Sequence, residues 1–146
     1  MIVQPFKADH LRRLLDEPSH EYMRPALGSV DHMAAIEREE ASFSLLQDSG
    51  RVVCCGGVMQ MWQGRALAWS VMASYSGPCM VQVHKITKRL LAMRPERRIE
   101  ATCEADFAAG HRWLRLLGFA CEAPRMESFG PDGKAHALYA LIRRAA

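Results

Sequence analysis

The residue types able to do chemistry in this chain stand apart from one another rather than in a motif. Glu104 closes the alternating stretch "RRIEATCEA" (97–105), and a carboxylate with a raised pKa could take up a proton there. Tyr139 lies in "AHALYALIRR" (135–144) and could supply one, or simply pack as a half-buried strand tyrosine. His84, His111 and His136 have no partner at a spacing that makes a metal site or a nucleophile–base pair. The five cysteines include the adjacent Cys54 and Cys55 but no C-x-x-C, a pattern that fits buried reduced thiols better than a disulfide framework or a zinc site. No metal is expected. Cys79 and Cys103 read as small buried hydrophobes. One anion-binding feature is present: "YSGPCMV" (75–81) opens a helix, and the first amides of a helix are free to hold a phosphate. Ser74 and Ser76 could add hydroxyl donors, although the same residues are also what a plain helix start requires.

Bulk composition excludes several classes. With 146 residues, the chain fits one domain (1–146) that buries roughly 70% of its extended-chain surface. A hydrophobic share of 49% and a charged share of 24% are ordinary for a globular protein. The net charge of +3 permits an anionic ligand, but no basic run is long enough to track a phosphate backbone. Nucleic acid is therefore not expected, and "RPERR" (94–98) reads as a solvated helix-to-strand loop. "MIVQPFKADHLRRLL" lacks the apolar centre of a signal peptide, and no apolar run reaches the ~20 residues of a membrane span. A cytoplasmic location without a membrane partner is expected.

The elements that must position these residues follow from periodicity and punctuation. "MIVQPF" forms a first strand, with Pro5 marking an edge. Asp9 caps a short helix ending before Pro18, and residues 18–28 read as irregular. A second helix covers 29–41, capped at Ser29 or Asp31. "SFSLLQ", "VVCCGGVMQMW" and "ALAWSVMAS" form a meander, with a bulge at Gly56–Gly57. A helix over 78–93 has apolar residues at 80, 83, 86, 90 and 93 and is closed by Pro95. "RRIEATCEA" is a strand, and "DFAAGHRWLRLLG" is a helix with Asp106 as candidate cap and Gly118 past its end. A hairpin around "GPDGK" finishes the chain. The order β-α-α-β-β-β-α-β-α-β-β predicts an α/β (α+β) fold, a mixed and mostly antiparallel sheet of about seven strands with helices on both faces.

That order, with helix–"LGF"–strand near the end and "GPDG" in the last hairpin, resembles the GNAT superfamily of N-acetyltransferases. "EADFAAGHRWLRLLGFACEAPRMESFGPDGKAHALYAL" is most similar to a GNAT-like family encoded by short-tailed bacteriophages. The resemblance implies acetyl-CoA as cofactor and an N-acyltransferase acting on an amine, carried by a small molecule or a protein. It equally implies an alternative, a catalytically inactive GNAT-fold phage protein with a virion-structural or host-protein-binding role, placed in the host cytoplasm or the virion.

Carried onto this chain, the resemblance places pantetheine beside "ALAWSVMAS" and the pyrophosphate on "YSGPCMV". Cofactor-binding residues are then Val71 and Met72, whose amides would polarise the thioester, together with Ser76, Gly77 and Cys79. Glu104 becomes the candidate base and Tyr139 the candidate acid. Glu104 can also be read as a surface carboxylate or a partner for Arg98 or Arg112. Two departures stand out. Only Gly77 remains of the glycines usual in the phosphate loop, and Leu114 occupies the position of the usual thiolate-protonating Tyr. Phe107 stands where an Asn is common. Trp113, Leu114 and Leu117 read as core.

Overall fold

Alternating apolar and β-branched residues set the strands, and the sharpest turns fall at glycines that can adopt positive φ. The computed structural model of the chain describes residues 1–37 and 41–144. Its elements are β1 (Ile2–Pro5), α1 (Ala8–Leu15), a 3-10 turn (Pro18–Met23), α2 (Arg24–Leu27), α3 (Val30–Glu37), β2 (Ser42–Leu46), β3 (Val52–Trp62) and β4 (Arg65–Met72). There follow a second 3-10 turn (Gly77–Cys79), α4 (Met80–Ala92), β5 (Arg98–Glu104), α5 (Ala108–Leu116), β6 (Ala120–Met126) and β7 (His136–Ile142). The seven-stranded sheet has the order β1-β2-β3-β4-β5-β7-β6. Among the described registers only β4–β5 is parallel. The expected α/β class and mostly antiparallel sheet are thus present. Among the described residues no helix is long and apolar enough to cross a membrane. By contacts the chain divides into two compact units, Met1–Met59 with Ser70–Ile86 and Gln60–Trp69 with Thr87–Ala146.

In the first unit, Leu11, Leu14, Met33, Ile36, Leu45 and Val53 form a fully buried core. β1 is an edge strand, as Pro5 suggests. Asp9 does not cap α1. It sits inside the first turn and pairs with Arg13 at 2.7 Å, while the Ala8 amide donates to Glu37 Oε1 at 2.6 Å. A tertiary carboxylate has taken the local cap's place. The stretch 18–28 is not irregular either. Pro18 and Pro25 sit in the first turns of short helical segments, where a fixed φ and a missing N–H cost nothing. Ser29 caps α3, its Oγ accepting from the His32 amide at 3.1 Å; residues 38–40 of the expected helix lie outside the described residues.

The bulge falls elsewhere than Gly56–Gly57. Both glycines pair regularly, with Phe43 and Ser42, whereas the register slips between Leu45 and Leu46, where Val53 is the extra residue. Gly57 has a different purpose: a Cβ there would come within 2.8 Å of the Ala41 carbonyl oxygen and the Ser42 Cα. Cys54 and Cys55 are buried free thiols, and burial pushes them up to about 12 and about 11.

In the second unit, Ile99, Ala137, Tyr139, Leu114, Leu117 and Phe119 are buried, and Trp113 is half-buried. The helix-stop reading of Gly118 holds in detail. Gly118 has φ +102°, its amide donates to the Arg115 carbonyl, and the Phe119 amide donates to the Leu114 carbonyl, the double bond of a Schellman ending. Asp106 does not cap α5. Phe107 occupies the cap position without a side-chain bond, and Asp106 is exposed, 3.6 Å from Arg125. Cys121 is exposed and Cys103 and Cys79 half-buried, so the buried-thiol reading applies fully only to the Cys54–Cys55 pair.

Candidate active site

The site-bearing stretch of the first unit begins with the end of β4. The β4–β5 register covers three pairs, Arg65–Arg98, Ala66–Ile99 and Leu67–Glu100, and stops, although β4 runs on to Met72. Beyond Leu67 the outward polar groups of β4 are therefore not spent on a β5 ladder. The Ala73 amide donates to the Val53 carbonyl at 2.8 Å. Backbone alternation then turns the Val71 amide toward β3 as well and the Met72 amide to the other edge. Of the two amides expected to face a thioester, Met72 is the one so directed.

The loop after β4 is held by three contacts. The Ser74 amide donates to Glu17 Oε2 at 3.0 Å, the Tyr75 hydroxyl donates to the Val52 carbonyl, and the Arg51 guanidinium lies 3.4 Å over the Tyr75 ring. Within the turn the Ser76 amide goes to the Ala73 carbonyl and the Cys79 amide to the Ser76 carbonyl. Ser76 itself is buried. The Gly77 amide, like that of Tyr75, makes no backbone bond among the described residues. Among the described residues a Cβ on Gly77 would meet no atom within 4 Å, so the space over the residue is open to them.

In the second unit the β5–β7 register pairs Glu104 with His136 and Ala101 with Tyr139. Side chains alternate along a strand, so Glu104 and His136 share one face while Tyr139 occupies the other. The residues expected as base and acid are not brought together. Glu104 is half-buried and, among the described residues, ion-pairs with neither Arg98 nor Arg112; Arg98 is held instead by Glu100 and Glu122. His136, which the sequence places in no metal or nucleophile–base pattern, has both ring nitrogens buried without a hydrogen-bond partner among the described residues.

Tyr139 is wholly buried, and its hydroxyl lies 2.6 Å from His111 Nδ1 on α5. His111 Nε2 lies 2.8 Å from the Ala105 carbonyl, which can only accept, so Nε2–H donates to it and, in that tautomer, Nδ1 accepts a hydrogen bond from the Tyr139 hydroxyl. Burial raises the Tyr139 pKa, partly opposed by Arg115. A small cavity of about 330 Å³ beside His111 is bounded by Ala105, Asp106, Arg112 and Arg115. Nothing in the sequence signals the His111–Tyr139 contact, because the residues are 28 positions apart on different elements. Burial raises the Cys103 thiol, so it is not an activated nucleophile. Leu114, in place of a thiolate-protonating tyrosine, is buried core as expected.

No protein-family profile matches the chain, and no curated protein does. Solved structures do. A GNAT-family acetyltransferase from Bacillus anthracis is 14% identical, with a TM-score of 0.64 over 96% of this chain and 93% of that one. The fold is that of the GNAT acetyltransferases. A chimera of spermidine N-acetyltransferase SpeG from Vibrio cholerae and hSSAT is 10% identical, with a TM-score of 0.68 over 97% and 96%. The ribosomal-protein-S5-alanine acetyltransferase from Vibrio fischeri is 13% identical, with a TM-score of 0.62 over 96% and 91%. At these identities the likeness is one of GNAT architecture. Any activity must be argued from the residues.

Proposed function

We propose that the chain is an acetyl-CoA-dependent N-acyltransferase acting on an amine. The observation that carries this reading is the β4 edge left without a ladder beyond Leu67, followed directly by a helix start whose Gly77 amide is uncommitted. Acetyl-CoA fits that stretch, since an extended amide chain can pair with a strand edge and a phosphate can approach Gly77 closely. When bound it supplies an acyl group activated as a thioester. The Met72 amide would donate to the carbonyl oxygen as negative charge develops there. Val71, Ser76 and Cys79 would shape the strand and turn around it. Glu104 would accept the proton that the amine sheds on attack. Tyr139 is assigned a positioning role, because its hydroxyl already donates its hydrogen bond to His111 on α5.

Thermal unfolding with and without acetyl-CoA tests the reading. At ~100 times the dissociation constant the ligand should add about 2.7 kcal/mol, a rise of roughly 5–10 °C for a chain of this size. Gly77→Val should leave the unliganded melting temperature unchanged, because nothing lies within 4 Å, and should diminish the rise. No rise at millimolar acetyl-CoA rejects the proposal. In turnover with an accepted amine, Glu104→Gln is expected to slow the reaction by about 10²-fold or more with little loss of acetyl-CoA affinity. Unchanged turnover would remove Glu104 from the mechanism.

A second reading rests on the turn itself. The Ser76 and Cys79 amides are spent internally and Pro78 has none, which leaves fewer donors for a pyrophosphate than a working cradle uses. This favours a non-catalytic GNAT-fold protein binding a phage or host protein, and the same melting experiment separates the two.

A further inference from the structure

We propose that one end of the sheet in the second unit binds a ligand combining nucleobase and phosphate, in its extended form a single strand of nucleic acid. The inference does not rest on acyl transfer and uses none of the residues assigned to it. The end of β3, the β3–β4 turn, the start of β5 and the end of β7 meet here around an open trough of about 590 Å³. Five arginines line it: Arg65, Arg97, Arg98, Arg143 and Arg144.

The register explains how they gather, because Arg65, Arg98 and Ile142 form one row across β4, β5 and β7. Backbone bonds fix the rim: the Arg98 amide donates to the Gly64 carbonyl at 3.0 Å and the Arg143 amide to the Arg97 carbonyl at 2.7 Å.

Charge is only partly compensated. Glu100 takes Arg65 and Arg98, and Glu122 takes Arg98 as well. Arg97, Arg143 and Arg144 make no ion pair among the described residues. The Arg143 guanidinium donates to the Arg94 carbonyl, which orients it, and its charge is only partly offset by the buried Glu96 carboxylate, which Arg94 already pairs. Three oriented or solvent-facing guanidiniums thus border one concavity, and Arg suits phosphate because its planar fork can donate two parallel bonds.

The second observation selects the ligand class. Trp62, on the same rim, is 59% exposed, an unusual state for the largest apolar side chain. Arg65 lies 4.5 Å from its ring centroid and holds the indole in place by a cation–π contact. A pinned, exposed indole beside unpaired guanidiniums is the pairing of stacking platform and basic trough used for single strands. A simple polyanion would have no use for the indole.

The test is fluorescence anisotropy of a labelled oligothymidine of about twelve nucleotides with the full chain, titrated across salt. Saturable binding is expected, with a log–log salt slope near −2, from about 0.7 for each of three arginines. Trp62→Ala should weaken binding at least about fivefold, and Arg97→Ala or Arg144→Ala should each reduce the slope by about 0.7. These side chains are exposed, and unchanged melting temperatures would confirm intact folds. Mononucleotide binding with the same Trp62 dependence would identify a free nucleotide as the source of the same chemistry. Absence of binding to either probe overturns the proposal. So does binding that is indifferent to Trp62→Ala and equally competed by inorganic polyphosphate.

Discussion

Tyr139→Ala is expected to lower stability by about 3–5 kcal/mol, or roughly 10–15 °C in melting temperature, the largest effect among the site residues. Tyr139 is wholly buried on β7, so truncation removes a full aromatic side chain from the core. It also strips the donor from His111 Nδ1, which lies 2.6 Å from the hydroxyl. Tyr139→Phe separates the two contributions. It retains the ring and loses one hydrogen bond, for about 1 kcal/mol. If Tyr139 only positions α5, the phenylalanine variant should keep its turnover on any accepted amine. Loss of turnover in a stably folded Tyr139→Phe protein would instead make the hydroxyl a proton donor, and the assignment above would have to be reversed.

Glu100→Ala is expected to cost about 3 kcal/mol at neutral pH, the low end for breaking a buried ion pair, because both arginine partners are about a third exposed. The Glu100 carboxylate accepts from Arg65 at 3.1 and 2.7 Å and from Arg98 at 2.8 Å. The Arg65 bonds hold its pKa below the ordinary carboxylate value; burial opposes this and Arg98 reinforces it. A carboxyl whose folded pKa is depressed binds fewer protons in the folded state, so its stabilisation is complete above the unfolded value of about 4.3 and disappears as pH falls through the folded value. Chemical denaturation should therefore show the wild type and Glu100→Ala converging as the solution is acidified from about pH 4.5. A gap of equal size at pH 3 and pH 7 would assign the loss to packing rather than to the ion pair. Because Arg65 also orients Trp62, the same variant is expected to weaken oligothymidine binding through a loosened indole, despite the gain in net positive charge.

The origin of the arginine trough shows where a linear reading stops. "RPERR" looks like a solvated loop, and its neighbours in space come from the β3–β4 turn and the last strand. No periodicity within one segment encodes a row such as Arg65–Arg98–Ile142, because strand register is set by long-range pairing. The caps show the same competition on a smaller scale. Asp9 and Asp106 have the right chemistry and spacing to cap α1 and α5, but Glu37 supplies the bond to the Ala8 amide, and Asp106 stays exposed near Arg125.

What the sequence determined by itself was whatever is encoded within a dozen neighbouring residues. That includes the order of the seven strands with α1, α3, α4 and α5, the edge character of β1, Ser29 as one of two candidate caps, the Gly118 stop and the core roles of Leu114 and Leu117. Local sterics and hydrophobic periodicity suffice for each of these. Only the tertiary structure decided which side chains meet. It placed Glu104 and Tyr139 on opposite faces of β5 and β7, paired Tyr139 with His111, and moved the bulge from Gly56–Gly57 to Val53. In a strand a shift of one position exchanges the faces, so the chemistry available at a site depends on a register that no single segment contains.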